Sequence, residues 1–240
     1  MMEDRLYLVP KPVVADFTFG PETAAVFDDM LDRSVPFYTE VQRMIAEMVG
    51  DLAVDQTNIF DLGCSTCRTF RLLENLVQDV TFIGIDDSAA MLARADQELQ
   101  QAGFKRRYEL RHQDLHQELR LENASVILLS LTLQFVRPLY RERLMQAVYN
   151  GLNHQGALIL VEKVLSRETL VNRLFIKYYH DLKRRNGYSD IEIAQKREAL
   201  ENVLVPYRLD ENEQLLRSVG FTQIEVFWKW YNFCGLLAVK

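Results

Sequence analysis

Short apolar segments alternate along the chain with segments whose apolar residues recur every three or four positions. The first kind is typical of buried strands, and the second of amphipathic helices. The helical spacing is clear over residues 89–102 and 138–149. The apolar segments predict five strands, of which the third is the weakest: residues 58–62, 81–86, 108–112, 125–131 and 157–162. This alternation predicts a parallel sheet covered by helices on both faces.

The N-terminal part of the chain, residues 1–55, predicts a helical cap on that sheet. Pro21 suits the first position of a helix that runs to about Arg33. Ser34-Val35-Pro36 interrupts the helical spacing, because the residue before a proline avoids the helical conformation. A second helix with its own apolar face follows and leads to the first strand.

The C-terminal part extends the same pattern after Lys163. The chain is predicted to stay helical through an insertion at about 166–205 and to end in two strands, 223–228 and 235–239, which could form an antiparallel pair. No linker or repeat divides the chain. We therefore predict one α/β domain over residues 1–240, with a Rossmann-like, doubly wound, mostly parallel seven-stranded sheet.

The composition is typical of soluble globular proteins. Of 240 residues, 48% are hydrophobic and 26% charged, and no segment approaches the roughly 20 consecutive apolar residues of a membrane span. The N-terminus lacks a secretory signal and three cysteines suit a reducing compartment, so we predict a cytoplasmic protein with no membrane partner. A net charge of −6 argues against direct nucleic-acid binding and favours a small-molecule substrate.

Polar residues follow three of the predicted strands, where a doubly wound sheet binds its ligand. Asp61-Leu62-Gly63-Cys64-Ser65 follows the first strand, and its glycine would let backbone N–H groups approach a ligand. Asp86 ends the second strand, before Asp87, and can accept hydrogen bonds from both hydroxyls of a ribose. Asp114-Leu115 follows the third strand, where an adenine amino group would need an acceptor. Together these positions predict a nucleoside-containing ligand.

A redox site is the rival interpretation of the first loop. Cys64-Ser65-Thr66-Cys67 has Cys-x-x-Cys spacing at a predicted helix start, which would lower the pKa of the Cys64 thiol. A thioredoxin unit is much shorter than this chain, and Asp86 lies downstream at the ribose position, so the nucleoside interpretation is favoured. The four histidines are scattered, without partners at metal-ligand spacing, so no metal site is predicted.

Seven strings of residues occur in order over almost the whole chain: Arg33-Ser34-Val35-Pro36-x-Tyr38, Asp61-Leu62-Gly63-Cys64-Ser65, Leu131-Thr132-Leu133-Gln134-Phe135, Gly151-Leu152-Asn153, Glu162-Lys163, Lys183-Arg184-x-Asn186-Gly187-Tyr188-Ser189 and Gln195-Lys196-Arg197-x-x-Leu200-Glu201-Asn202-Val203. These strings resemble the carboxy-S-adenosylmethionine synthase family. The last two are far more specific than the nucleoside loop. The resemblance implies the class I methyltransferase fold.

The resemblance implies a transferase that does not transfer a methyl group. Members of this family convert S-adenosyl-L-methionine (SAM) to carboxy-SAM, with prephenate as the carboxyl donor. Prephenate loses CO2, which the SAM methyl carbon captures, and phenylpyruvate is left. The product serves a second enzyme that modifies the wobble uridine of tRNA. The expected cofactor is therefore SAM or carboxy-SAM, without a metal.

The resemblance also implies the binding residues and a homodimer. The implied positions are Tyr38, Gly63, Cys64, Ser65, Asp86, Asp87, Asp114, Leu115, Ser130 and Arg197. Residues 166–205 are the expected dimer contact, and Arg197 would reach into the neighbouring site to bind the new carboxylate. A guanidinium suits this role because it is permanently charged and bidentate. Without the resemblance, the surrounding residues would predict that Arg197 is a solvent-exposed residue of a charged helix.

The chain departs from the family pattern inside the site. Cys67 replaces a glycine, while Asp87 and Ser130 each replace an asparagine. These departures leave two alternatives open, a small-molecule methyltransferase and a non-catalytic paralogue that binds a SAM derivative. Prephenate carries two carboxylates, so Lys163 and the basic run Lys183-Arg184-Arg185 are candidates for its recognition.

Overall fold

The computed structural model describes residues 2–240 and contains a seven-stranded sheet between two layers of helices. The strands are β1 (Asn58–Leu62), β2 (Thr81–Asp86), β3 (Arg107–His112), β4 (Ala124–Ser130), β5 (Leu152–Lys163), β6 (Gln223–Trp230) and β7 (Phe233–Val239). Their order across the sheet is β3-β2-β1-β4-β5-β7-β6. β1 to β5 are parallel, and β7 is antiparallel to both of its neighbours. The predicted mostly parallel sheet with a terminal antiparallel pair is confirmed.

Residues 2–240 contain eight α-helices: α1 (Pro21–Ser34), α2 (Tyr38–Leu52), α3 (Arg68–Leu72), α4 (Ala89–Gln101), α5 (Pro138–Gly151), α6 (Thr169–Arg185), α7 (Asp190–Leu200) and α8 (Leu209–Ser218). The predicted helical insertion at about 166–205 consists of two helices, α6 and α7, with a turn between them. Gly187 has a φ of 90° after α6, and Ser189 begins α7 through a capping box with Glu192. α8 was not predicted. No helix within residues 2–240 is long and apolar enough to cross a bilayer.

Alternate residues of the central strands point to opposite faces of the sheet, and each face has its own core. Phe60 and Ile127 face the layer formed by α5 and α8. Ile59 and Val126 face the layer formed by α2, α3 and α4. Burial on both faces explains the continuous apolar segments. β3 lies at the sheet edge with several exposed residues, which explains its weaker pattern.

The carboxyl edge of the sheet opens into a crevice between β1 and β4, where the strand order reverses. Doubly wound sheets bind ligands at this point. The segment before α1 crosses the crevice, and several hydrogen bonds attach it to the rest of the domain. The N–H of Phe17 donates to the carbonyl of Ala199 in α7 at 2.9 Å, and the Ser88 hydroxyl donates to the Phe19 carbonyl. The N-terminal segment therefore forms part of the crevice wall.

Arg141 of α5 joins the segment after β4 to the segment after α7. It is 1% exposed, and its guanidinium donates to the carbonyls of Val136 (2.8 Å), Val205 (2.6 Å) and Gln134 (3.4 Å). The same group stacks over the Tyr207 ring, 4.1 Å from its centroid. The Val136 and Val205 carbonyls depend on this one side chain, whereas that of Gln134 also accepts the N–H of Val205 at 2.8 Å. Arg141 and this backbone bond together fix the crevice wall on the β4 side.

We predict that Arg141→Met lowers the free energy of unfolding by about 3–5 kcal/mol, because methionine leaves the buried carbonyls unpaired. The matched control is Arg217→Met on the exposed side of α8, which should change stability by less than about 0.5 kcal/mol. Denaturant unfolding of both variants measures the difference. Equal stabilities would show that Arg141 is not required to hold these segments together.

Candidate functional site

Nine of the ten residues predicted to bind the ligand line one cavity in the crevice. They come from α2, from the ends of β1, β2 and β4, and from the segment after β3: Tyr38, Gly63, Cys64, Ser65, Asp86, Asp87, Asp114, Leu115 and Ser130. Phe17 and Phe19, which the sequence patterns did not indicate, line the same cavity. Among residues 2–240, no group of three or more side chains is arranged to hold a metal ion.

The loop after β1 turns sharply because three alternate residues have left-handed backbones. Their φ angles are 76° at Gly63, 48° at Ser65 and 53° at Cys67. A Cβ atom on Gly63 would lie 2.4 Å from the Thr132 side chain, so glycine is required there for space as well as conformation. The loop and the segment after β4 therefore lie in direct contact at the floor of the cavity.

The N–H groups of this loop are used inside the protein. Those of Gly63 and Cys64 donate to the Ile85 carbonyl at 2.7 and 3.1 Å, and that of Ser65 donates to Oδ2 of Asp86 at 2.9 Å. The expectation that they approach a ligand is wrong for these three residues. A phosphate needs such donors. In this cavity, the N–H donors of the loop are already bonded within the protein, and carboxylates face the cavity. The cavity is therefore better suited to a positively charged group.

Cys67 has the left-handed conformation that glycine adopts with less strain. Cys64 and Cys67 are both free and buried. The pKa of the Cys64 thiol is raised, first by its hydrogen bond with Cys67, then by burial and nearby carboxylates. The expected lowering of this pKa is wrong, and a thiol that stays protonated is a poor nucleophile. This result argues against the redox interpretation.

Two predicted carboxylates are held by backbone N–H groups. Asp86 is buried at the end of β2, and its oxygens accept hydrogen bonds from Ser65 and from Ser88, both at 2.9 Å. Asp114 accepts the N–H of His116 at 2.8 Å, and the same oxygen lies 2.7 Å from Nδ1 of that ring. These bonds orient both side chains while leaving lone pairs for ligand donors.

Asp61, the last polar residue of β1, also presents its carboxylate to the cavity. It belongs to the string Asp61-Leu62-Gly63-Cys64-Ser65, but the sequence patterns did not predict that it binds the ligand. It is 3% exposed, lines the cavity and makes no side-chain hydrogen bond within residues 2–240. Burial, followed by repulsion from Asp86, raises its pKa to about 7. Its sequence signal was an acidic residue inside an otherwise apolar strand. A buried carboxylate without a partner is suited to a cationic ligand group.

The other end of the cavity is basic. Lys163 at the end of β5 and Lys196 of α7 line it, together with Tyr179. β4 separates β1 from β5, so Lys163 and Asp61 are two strands apart, which corresponds to about 10 Å. The cavity therefore has acidic groups along β1, β2 and β3, and basic groups at β5 and α7.

Arg197, the tenth predicted residue, does not line this cavity. It lies exposed on α7, and its guanidinium has no ion pair within residues 2–240. Burial, followed by the charge of Arg197, lowers the pKa of Lys163 to about 8, so Arg197 is near the basic end. Its role as a carboxylate ligand in a neighbouring subunit stays a prediction.

Sequence comparisons place the chain among SAM-dependent enzymes. A family described as a methyltransferase domain matches residues 59–156. The carboxy-S-adenosyl-L-methionine synthase of Methylococcus capsulatus is 54% identical over 242 residues, covering 100% of both chains. The synthase of the same name from Nautilia profundicola is 41% identical over 239 residues, again covering 100% of both chains.

Solved structures of low sequence identity share the fold. Human N-acetylserotonin methyltransferase in complex with SAM has a TM-score of 0.59 at 15% identity, over 92% of this chain and 55% of that chain. An O-methyltransferase family 2 protein from Planctomyces limnophilus, in complex with apigenin, has a TM-score of 0.57 at 17% identity, over 88% of this chain and 65% of that chain. The class I methyltransferase fold predicted from the sequence is confirmed.

We predict that Asp61→Asn stabilises the free protein at alkaline pH. Folding raises the pKa of Asp61 from 3.8 to about 7, so the folded state binds this proton more tightly. The cost of the ionised carboxylate is absent below about pH 4, grows between pH 4 and 7, and is complete above pH 7. Asparagine removes it, which should add about 1–3 kcal/mol at pH 8.

Thermal unfolding at pH 5 and pH 8 measures this effect. The stability difference between Asp61→Asn and the wild type should widen as the pH rises. Asp51→Asn on the exposed face of α2 is the control and should show no such trend. A difference that stays constant between the two pH values would mean that the Asp61 carboxylate has an ordinary pKa in the fold.

Proposed function

The chain belongs to the carboxy-S-adenosyl-L-methionine synthase family, and we propose that it converts SAM to carboxy-SAM. The observation that carries this proposal is the polarity of the cavity, acidic along β1 to β3 and basic at β5 and α7. SAM brings a sulfonium and an ammonium group, which suit the acidic part. The reaction adds a carboxylate, which suits basic groups beyond it.

We assign the parts of SAM to the carboxylates by their position. Asp86, fixed by two backbone N–H groups, accepts the ribose hydroxyls, and Asp114 accepts the adenine amino group. Asp61, which has no protein donor, receives the ammonium group of the methionine part. Tyr38 and Ser130 lie toward the reacting end of the ligand. An ammonium group beside Asp61 offsets the repulsion between Asp61 and Asp86.

The carboxyl donor that the family implies is prephenate. In the balanced reaction, prephenate loses CO2 and hydroxide and becomes phenylpyruvate, while the SAM methyl carbon loses a proton and bonds the CO2 carbon. The proton and the hydroxide leave as water. We propose that this small-molecule reaction takes place in the cytoplasm and supplies carboxy-SAM for wobble-uridine modification of tRNA by another enzyme.

We propose that the product carboxylate is bound by Arg197 of a second copy of the chain. A cation aimed at a sulfonium would be repelled, so the placement is favourable only where a carboxylate forms between them. α6 offers a surface for the second copy. Of its 17 residues only Lys183 is buried, while Leu170, Leu174 and Tyr178, four residues apart on one side of the helix, are exposed. An exposed apolar face of this kind supports a homodimer through residues 166–205.

We predict that the purified protein makes carboxy-SAM from SAM only when prephenate is present. Mass spectrometry should detect equal amounts of carboxy-SAM and phenylpyruvate, and no S-adenosylhomocysteine. S-adenosylhomocysteine formed with a methylated acceptor would instead identify a methyltransferase. Tight binding of carboxy-SAM without turnover would identify a non-catalytic paralogue. Either result would refute the proposed activity.

We predict that Arg197→Ala weakens carboxy-SAM far more than SAM, by a differential of roughly 2–3 kcal/mol, because only carboxy-SAM leaves an unpaired carboxylate. Calorimetric titration with each ligand measures the two affinities. Arg217→Ala, on the exposed side of α8 and outside residues 166–205, is the control and should change neither. Equal losses for both ligands in Arg197→Ala would limit Arg197 to packing or dimer formation.

A further inference from the structure

Three lysines alternate with two tyrosine rings at the basic end of the cavity. Nζ of Lys163 lies 4.9 Å from the centroid of Tyr179, and Nζ of Lys183 lies 5.2 Å from that ring and 5.6 Å from Tyr188. Nζ of Lys196 lies 5.6 Å from the Tyr188 ring. β5, α6 and α7 each supply one of these ammonium groups, which we call the lysine cluster.

One carboxylate, that of Asp4, lies beside the lysine cluster. Oδ2 of Asp4 lies 3.5 Å from Nζ of Lys196 and accepts a 2.5 Å hydrogen bond from the Tyr188 hydroxyl. Within residues 2–240, the ammonium groups of Lys163 and Lys183 have no hydrogen-bond or ion-pair partner. When all three lysines are protonated, the cluster and Asp4 together carry a net charge of +2.

Burial makes this excess charge unfavourable in the free protein. Lys183 and Lys196 are 5% and 6% exposed. Burial lowers the pKa of Lys196 to about 8 despite Asp4. Burial, helped by the neighbouring lysines, also lowers the pKa of Lys183 well below its usual value. Buried ammonium groups need an anion. Arg33 cannot relieve the cluster, because it is itself a cation, paired with Asp29 at 3.3 Å.

We propose that the lysine cluster binds the two carboxylates of the dicarboxylate co-substrate. Lys163 approaches from the sheet and Lys196 from α7, and both line the cavity. Lys183 lies between them and adds to the field at both. The net charge of +2 matches a dianion and exceeds what a monoanion can neutralise. This inference rests on the proposed function and names the residues that recognise its second substrate.

The three residues of the basic run Lys183-Arg184-Arg185 have different environments in the structure. Lys183 points inward, whereas Arg184 is paired on the surface with Asp181 and Asp190, both at 2.7 Å. Arg185 is exposed. Lys183 therefore belongs to the cluster, and the two arginines that follow it do not.

Recognition by charge also distinguishes the substrate from its product. Prephenate has two carboxylates, and phenylpyruvate, formed when one is lost as CO2, has one. A cluster with a net charge of +2 binds the dianion more tightly because two ion pairs replace one. The same residues that hold the co-substrate therefore release the product of its decarboxylation.

The experiment is calorimetric titration with prephenate and, separately, with phenylpyruvate. The protein is loaded with S-adenosylhomocysteine, which has no methyl group to be carboxylated, so that binding is measured without reaction. In the wild type, prephenate should bind at least tenfold more tightly. Lys163→Met should weaken prephenate at least tenfold and reduce this ratio to near one, while the affinity for SAM changes less than about twofold. Lys105→Met, an exposed lysine between α4 and β3 and outside residues 166–205, is the control and should leave both ligands unaffected.

A second variant tests the same site in case Lys163→Met does not fold correctly. Asp4→Asn combined with Lys196→Met removes that ion pair as a unit, so neither partner is left without the other. It takes away one of the two ammonium groups that line the cavity and should therefore also weaken prephenate selectively. Titrations at pH 8 in buffers of different ionisation enthalpy should show proton uptake on prephenate binding, because an anion raises the pKa of the lysines. A lysine role confined to packing would produce no such uptake.

Three results would overturn the proposal: wild-type protein that does not bind prephenate, lysine variants that bind it normally, or variants that lose SAM and prephenate equally. Failure of the proposed function has a different signature. Wild-type protein that binds prephenate through these lysines but forms no carboxy-SAM would support the lysine site and refute the activity.

Discussion

The crevice depends on carboxylates that the fold buries at the carboxyl edge of the sheet without giving them a cation of their own. Asp61 has no hydrogen-bond donor within residues 2–240, and its neighbour Asp86 raises its pKa further. Such a pair is unfavourable in the free protein, so the surrounding segments must hold it in place. Thr66 and Arg71 attach the loop region to Asp28 of α1, at 2.8 and 2.9 Å. A cationic ligand removes a repulsion that the fold itself leaves uncompensated.

The same constraint explains the conformation of the loop after β1. Ser65 must turn its N–H toward Asp86, while Gly63 and Cys64 turn theirs toward Ile85. Left-handed residues at alternate positions make these directions available in a short space. Cys67 accepts this conformation without glycine, at a cost of about 1 kcal/mol. The Cys67 side chain therefore faces the core and not the cavity. It is buried and packs among the core residues next to α3.

The features that were predicted correctly from the sequence are those that depend on local patterns of residues. β1 and β2 agree with prediction at both ends, because continuous apolar segments bounded by polar residues define buried strands. The break at Gly187 was missed because the surrounding residues favour helix on both sides. The direction of the Gly63 and Cys64 N–H groups could not be predicted, since it depends on β2 lying beside β1. Likewise, Lys163, Lys183 and Lys196 are 20 and 13 residues apart along the chain, and only the packing of α6 and α7 against β5 brings them together.

Separation of the two charged ends is as necessary as their presence. At about 10 Å, opposite unit charges attract with roughly 1.7 kcal/mol at an effective dielectric constant of 20, compared with about 4 kcal/mol at 4 Å. Closer lysines would pair with Asp61 and Asp86, and neither set would be free for a ligand. The strand between them, β4, ends in Ser130, which is polar but uncharged. In the proposed reaction, a cationic cofactor on one side of Ser130 and a dianion on the other would therefore meet over a position where this subunit places no charge. The charge beside the reacting methyl carbon would then come from Arg197 of a second copy.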